Sequence, residues 1–450
     1  MSRWLWRMRQ TSRSLWVRTT LIGLMGVAAA ILAAMVEHLI PWDMPAFVPV
    51  AAIESLLTII ASSMLAVSTF SLNIMTSAYG SASSNVTPRA TRLLMEDTMT
   101  QTVLASFVGS FIFSIVGMVL LRFGVYGERG RVVLFVLTIW VLAIIVINLL
   151  RWINYLTRFG RMGETIGRVE AATKAAMVQR LEEPMLGGTY WAQPCQVPHG
   201  AHMIDAQQVG FLQHIDMPAL SALAQELDAQ VYLATLPGKS LYVDSPLAWV
   251  VCSSTAKQEG ADAGGDAAAA PTGEALAAAL DKMRASFAVT VERNFDQDPR
   301  FGLAVLCEIA SRALSPATND PGTALDVIAR CTRLLSAWAQ KAQRVAQDMP
   351  PVQYPRVHVA PLSSEDLFDD AFMLMARDGA HLIEVQLHLH KSLAALARLG
   401  VPEFRQAAKA QADLALQRAQ QALPLQADKE RLRKLVVQMG ISAWPAEQVG

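Results

Sequence analysis

The chain has 450 residues, 38 lysines plus arginines balanced by 38 aspartates plus glutamates, and 53% hydrophobic content. A net charge of zero with no basic tract excludes nucleic acid as a partner, and the length accommodates a membrane domain plus a soluble domain. Cys195, Cys252, Cys307 and Cys331 form no close pair, which argues against a zinc site or a disulfide framework and suits reduced thiols.

Arg3, Arg7, Arg9, Arg13 and Arg18 precede a first apolar block at about 19–36. The block outruns the short core of a signal peptide and more spans follow it, so it is read as a retained anchor. Pro41, Asp43 and Pro45 predict a tight turn into a second apolar block at about 47–78. A third runs over about 101–121 and a fourth over about 132–150, each long enough to cross a hydrocarbon core of ~30 Å. Within the second block Ser55, Thr58, Ser62, Thr69 and Asn73 recur at spacings of three, four or seven, which puts them on one helical face. Ser63, Ser68 and Ser71 broaden that stripe. Two readings stand: a packing face, since Ser and Thr let membrane helices approach closely, or a wet, pore-facing one. Packing has the greater weight, because no charge sits mid-span to mark an ion path.

Positive charge orients the spans. With four helices, the N-terminal arginines, Arg89 and Arg92 of the central loop, and Arg151, Arg158, Arg161 and Arg168 all fall on one side. That side is expected to be the cytoplasm, holding both termini of a multi-pass membrane protein. Trp16, Trp42, Trp140 and Trp152 suit helix ends at the interface.

The segment around the central loop carries a recognisable pattern: Phe70 and Ser71 in an apolar helix, then Pro88 and Arg89, Asp97, Gln101, and a helix with Phe107, Gly109 and Phe111. A second mark, QDPRFGLAVLCEIASRALSPATNDPGTALDVI, lies at 297–328. Together they resemble a bacterial family of inner-membrane proteins known only as a domain of unknown function. The resemblance spans most of the chain, implies an integral membrane protein, and brings no catalytic residues with it.

An amphipathic run over 162–181 predicts a helix leaving the bilayer. Beyond Gly187 and Gly188 come short β-rich segments with Pro-Gly and Asp-Ser turns, interrupted by DMPALSALAQEL, a helix capped by Asp216 with Pro218 in its first turn. This looks like a small barrel or sandwich with one helix inserted. Residues 255–273 are of low complexity and read as a flexible surface insert. Helical runs follow at about 300–314, 321–342, 365–377, 381–399, 403–423 and 429–439, with one strand expected at QYPRVHVAPL. The expected fold class is α+β. A four-helix transmembrane domain (1–160) precedes a connecting helix (161–186). A β-rich subdomain (187–253), an insert (254–275) and a helical subdomain (276–450) complete a cytosolic part.

Candidate chemistry is sparse. In SPATNDPGTA, Asn319 or Asp320 can cap the following helix, with Pro321 in its first position. Ser315, Asn319, Asp320 and Thr323 also gather polar groups at a helix N-terminus, where an anion or a partner's carboxylate could bind. Asp296 and Asp298 ahead of Arg300 read better as an N-cap with a salt-bridge partner than as an acid–base pair. His381, Glu384 and His388 span two turns rather than one, so a solvated face is preferred to a metal site. Arg89, Asp97 and Arg300 complete the set of ligand or interdomain contacts, with the 88–92 loop expected to dock near 315–323 through Arg89 and Asp320. No GxSxG, P-loop or dinucleotide fingerprint is present; no catalytic residue, metal site or cofactor is expected, and the ligand is unknown. The leading functional reading is a channel- or transporter-like homo-oligomer in the lipid bilayer, with a cytosolic sensing or gating domain. A non-transporting scaffold or sensor and a membrane-tethered enzyme are the alternatives.

Overall fold

A computed structural model describes residues 8, 15–35, 49–192, 196–197, 199–252 and 273–441. The expected turn at 41–45, the arginines before Leu15, Trp42, Cys195 and all but the last residues of the insert lie outside the described residues. The chain divides into two compact units, one over 7–165 and one over 166–450.

Four helices of the first unit are long and apolar enough to cross a membrane. They are α1 (Leu15–Met35), α2 (Val50–Asn85), α4 (Thr98–Arg122) and α5 (Glu128–Leu156). At 1.5 Å per residue the 36-residue α2 is about 54 Å long, well beyond a ~30 Å core. The central segment, expected as a loop, is a two-turn helix, α3 (Pro88–Met95). Proline is harmless in a first turn, where its missing N–H has no intrahelical partner, and Arg92 pairs with Glu96 one turn on at 3.0 Å.

The spans pack through small residues and apolar clusters. A Cβ on Gly26 would fall 2.8 Å from the Gly109 carbonyl oxygen, and one on Gly109 would fall 2.7 Å from Ile22 Cγ2. The α1 and α4 backbones therefore meet where neither chain carries a side chain. One cluster gathers Ile60, Met64, Phe107 and Trp152. The other gathers Ile53, Leu57, Phe113 and Leu134. Near the second, Tyr126 donates to the Ala30 carbonyl at 2.7 Å, and Arg122 pairs with Glu54 at 2.6 Å.

Helix α6 (Met162–Glu182) begins in the last residues of the first unit, continues into the second and ends in a turn with Met185, Leu186 and Gly187 all at positive φ. Two sheets follow rather than one closed barrel. The larger has the order β1-β8-β4-β6-β2, formed by β1 (Gly188–Tyr190), β2 (His202–Asp205), β4 (Ala229–Leu233), β6 (Pro246–Cys252) and β8 (Tyr354–Val359). The smaller has the order β5-β3-β7, from β3 (Gly210–Ile215), β5 (Ser240–Leu241) and β7 (Phe287–Thr290). Both sheets thus take strands from beyond the insert, and β8 pairs parallel to β1 and β4 after a long crossover. Helix α7 (Met217–Glu226) lies between β3 and β4, its Asp216 cap accepting from the Ala219 amide at 3.2 Å as the sequence predicts.

Gly273 already starts a helix the sequence reading missed, α8 (Gly273–Arg284). The rest is helical: α9 (Pro299–Ala313), α10 (Pro321–Gln347), α11 (Ser364–Asp378), α12 (Ile383–Leu396), α13 (Pro402–Ala422) and α14 (Gln426–Met439). Leu303, Val327, Phe372, Leu389 and Ala408 are fully buried among them.

Candidate functional site

Ser55, Thr58, Ser62, Thr69 and Asn73 are all exposed on the outer surface of the first unit. The opposite face of α2, with Ile53, Leu57, Ile60, Met64, Ser71 and Met75, packs against the other spans of the same chain. Their hydroxyls turn back onto the helix: Thr58 donates to the Glu54 carbonyl at 2.8 Å, Ser62 to Thr58 at 2.9 Å and Thr69 to Leu65 at 3.0 Å. By helical spacing the stripe is a seam of small polar residues between larger apolar ones. Ile59 and Phe70 flank one side, 61% and 62% exposed, and Leu65 and Leu72 the other. Ser68 and Ser71 point inward instead, and their buried hydroxyl oxygens have no hydrogen-bond partner among the described residues.

The membrane mark is built into the end of the bundle where α4 begins. Asp97 caps α4, accepting from the Thr100 amide at 2.9 Å and from the Thr100 hydroxyl at 2.7 Å. The same carboxylate accepts from the Tyr155 hydroxyl at 2.8 Å, tying α4 to α5. Tyr155 belongs to an aromatic ladder, stacked on Trp152 at 5.5 Å and tilted against Phe159 at 5.1 Å. Buried Gln101 donates to the Met95 carbonyl at 3.0 Å and so holds α3 against α4. Arg89 is exposed on α3. Spacing alone could not have shown the bond between Asp97 and Tyr155, because they lie 58 residues apart.

The second mark is a joint. The Gln297 side chain accepts from the Ile215 amide at 3.2 Å, and its carbonyl accepts from buried Arg180 at 2.8 Å. Asp298, 2% exposed, caps α9 through the Phe301 amide at 3.1 Å and pairs with Arg293 at 2.8 Å, which is the cap and salt bridge that the sequence favours. Arg300 donates to Asp370 at 2.6 Å and also reaches Asp366, fixing α9 to α11. Gly302 leaves room for Thr173 of α6, whose hydroxyl oxygen would lie 1.9 Å from an added Cβ.

Asp320 caps α10, accepting from the Thr323 amide at 3.1 Å and the Thr323 hydroxyl at 2.6 Å. Those bonds hold its carboxyl below the usual carboxylate range. Asn319 takes the left-handed conformation at φ 47, and the Ser315 hydroxyl donates to the Arg312 carbonyl at 2.7 Å. His381 and His388 are exposed, whereas His390 is fully buried. Among the described residues no group of three His, Cys, Asp or Glu side chains gathers as a metal site. Burial raises the Cys307 thiol to about 12 and the Cys331 thiol well above its ordinary value, which leaves both unreactive.

Comparison with known proteins adds a family but no activity. Uncharacterised proteins of Mycobacterium bovis and of Mycobacterium tuberculosis are each 27% identical to the chain over 264 residues. Those matches cover 58% of this chain and 47% of theirs, so the chain spans about half the length of the curated relatives it matches. No solved structure matches. A family model described as predicted membrane protein (DUF2254) matches residues 12–395, and with that coverage the chain belongs to the DUF2254 family.

Proposed function

We propose that the protein is a channel- or transporter-like homo-oligomer of the bacterial inner membrane. Both termini lie in the cytoplasm, and the part after residue 166 senses or gates. The observation that carries this reading is the outward stripe on α2. Ser55 to Asn73 covers 18 steps, about 27 Å along a helix, and therefore most of a ~30 Å core. Polar residues in a membrane are best placed against protein or water, and a carboxamide at Asn73 gains nothing from lipid. A second copy bringing its own α2 alongside would cover the stripe or enclose water with it. Arg18, Arg92, Arg151 and Arg158 support the orientation, since cytoplasmic ends carry the excess of arginine.

Flux and single-channel recording on the reconstituted protein test the proposal. Asn73→Leu and Thr69→Val are expected to lower flux or disturb assembly more than Val67→Leu does. Intact oligomers that pass no solute would favour the scaffold reading instead. Strong labelling of Asn73→Cys by a lipid-phase reagent would remove the observation on which the proposal stands.

A further inference from the structure

A cavity of about 270 Å³ opens beside the capped start of α4, within the first unit. Its wall combines Met99, Tyr155 and Phe159 with the guanidinium-bearing Arg151 and Arg158, and Glu164 is the acidic residue in the lining. Arg151 and Arg158 are exposed, and their guanidinium groups have no hydrogen-bond or ion-pair partner among the described residues. Arg151 belongs to the last turns of α5 and Arg158 to the turn that follows it, and the cavity lining brings the two together. Ile147 and Leu150, 56% and 63% exposed, precede Arg151 by four residues and by one, and carry an apolar surface of α5 on from it.

We infer that this cavity binds the phosphodiester headgroup of an anionic glycerophospholipid. Guanidinium groups meet phosphate oxygens with paired, charge-assisted hydrogen bonds, and two unpaired ones at the end of a membrane span meet that chemistry first in lipid. Glu164 leaves the lining with one net positive charge, suited to a phosphodiester monoanion and poorly suited to a free phosphate dianion. The volume lies at the small end for ligand sites, enough for a headgroup, so the acyl chains would run outside it along Ile147 and Leu150. The aromatic wall includes the Tyr155 ring whose hydroxyl is held by Asp97, so the headgroup would sit against the joint that sets the α4–α5 spacing.

The test uses the full chain in nanodiscs of phosphatidylcholine doped with phosphatidylglycerol, reading lipids that stay bound by native mass spectrometry. The protein is expected to retain phosphatidylglycerol selectively. R151Q/R158Q is expected to lose roughly 30-fold in that retention, the factor that two guanidiniums near an anionic lipid give. M99W, which fills the cavity and keeps every charge, should lose it as well, and this variant stands if the double one fails to insert. R161Q removes an arginine from the same end but outside the lining and should behave as the parent does. Equal retention of the two lipids, or retention unchanged in M99W, overturns the inference. Displacement of the lipid by equimolar inorganic phosphate would do so too, by assigning the site to a free anion.

Discussion

The residues singled out by the two sequence marks act first as joints. Asp320 is a measurable case, because its carboxylate accepts both the amide and the hydroxyl of Thr323 at the start of α10. Asp320→Ala should cost about 0.5–2 kcal/mol at neutral pH, the range for losing such a cap. The carboxyl is held below its ordinary value, so its contribution is complete above the unfolded pKa and disappears as pH falls through the lower, folded one. Thermal unfolding of parent and variant should therefore differ at about pH 7, with the gap narrowing once the pH falls below the ordinary carboxylate range; a gap of constant size would show that the cap works without its charge.

His390 of α12 has the same sign for a different reason. Its ring is fully buried, with Nδ1 2.8 Å from the Gln386 carbonyl oxygen and Nε2 3.3 Å from that of Ala412. Burial lowers its pKa below 6.5, so the folded state prefers the neutral ring. Its contribution is whole above 6.5 and declines as pH drops through the interval down to the folded value. In His390→Gln the acid side of the stability curve should be flatter across that interval, as read by unfolding midpoints against pH.

At the scale of elements, the bundle depends on how closely helix backbones approach. Gly109 of α4 meets Ile22 of α1, with an added Cβ 2.7 Å from its Cγ2 and 3.2 Å from its carbonyl oxygen. Relief at the side chain is possible, but the backbone oxygen can move only with the helix. Gly109→Leu should therefore overpack the crossing by about 1–3 kcal/mol and lower the temperature at which the detergent-solubilised protein aggregates. Gly163, where an added Cβ meets nothing within 4 Å, provides the control. If Gly109→Leu were no worse than Gly163→Leu, the crossing would not be limited by that contact. The second unit shows the same logic at Gly302, against Thr173 of α6. Both glycines were legible as motif members, but spacing does not reveal which neighbour demands the missing side chain.

At the scale of the whole molecule, the arginines at one end of the bundle make topology the decisive property. Reporter fusions after Gly450 and within residues 124–130 should report opposite sides, with the first cytoplasmic. A periplasmic signal from the C-terminal fusion would reverse the orientation and move the Arg151–Arg158 cavity to the other leaflet. The functional reading shares this dependence, since a part that gates from the cytoplasm has to reside there.

The sequence by itself determined the elements whose cause is local. Four apolar runs of membrane length, the Asp216 cap, the helices of 299–439 and the strand at 354–359 follow from composition, periodicity and capping chemistry within a few residues. Only the tertiary structure decided what depends on neighbours distant in the chain. It brought β7 and β8 into sheets begun before the insert, bound Asp97 to Tyr155, and turned one face of α2 inward and the polar stripe outward. Helical spacing groups residues on a face without saying what the face meets. That choice belongs to the packing of all the spans together, where Ile53, Leu57 and Met64 bury more apolar surface than Ser55, Thr58 and Ser62 could.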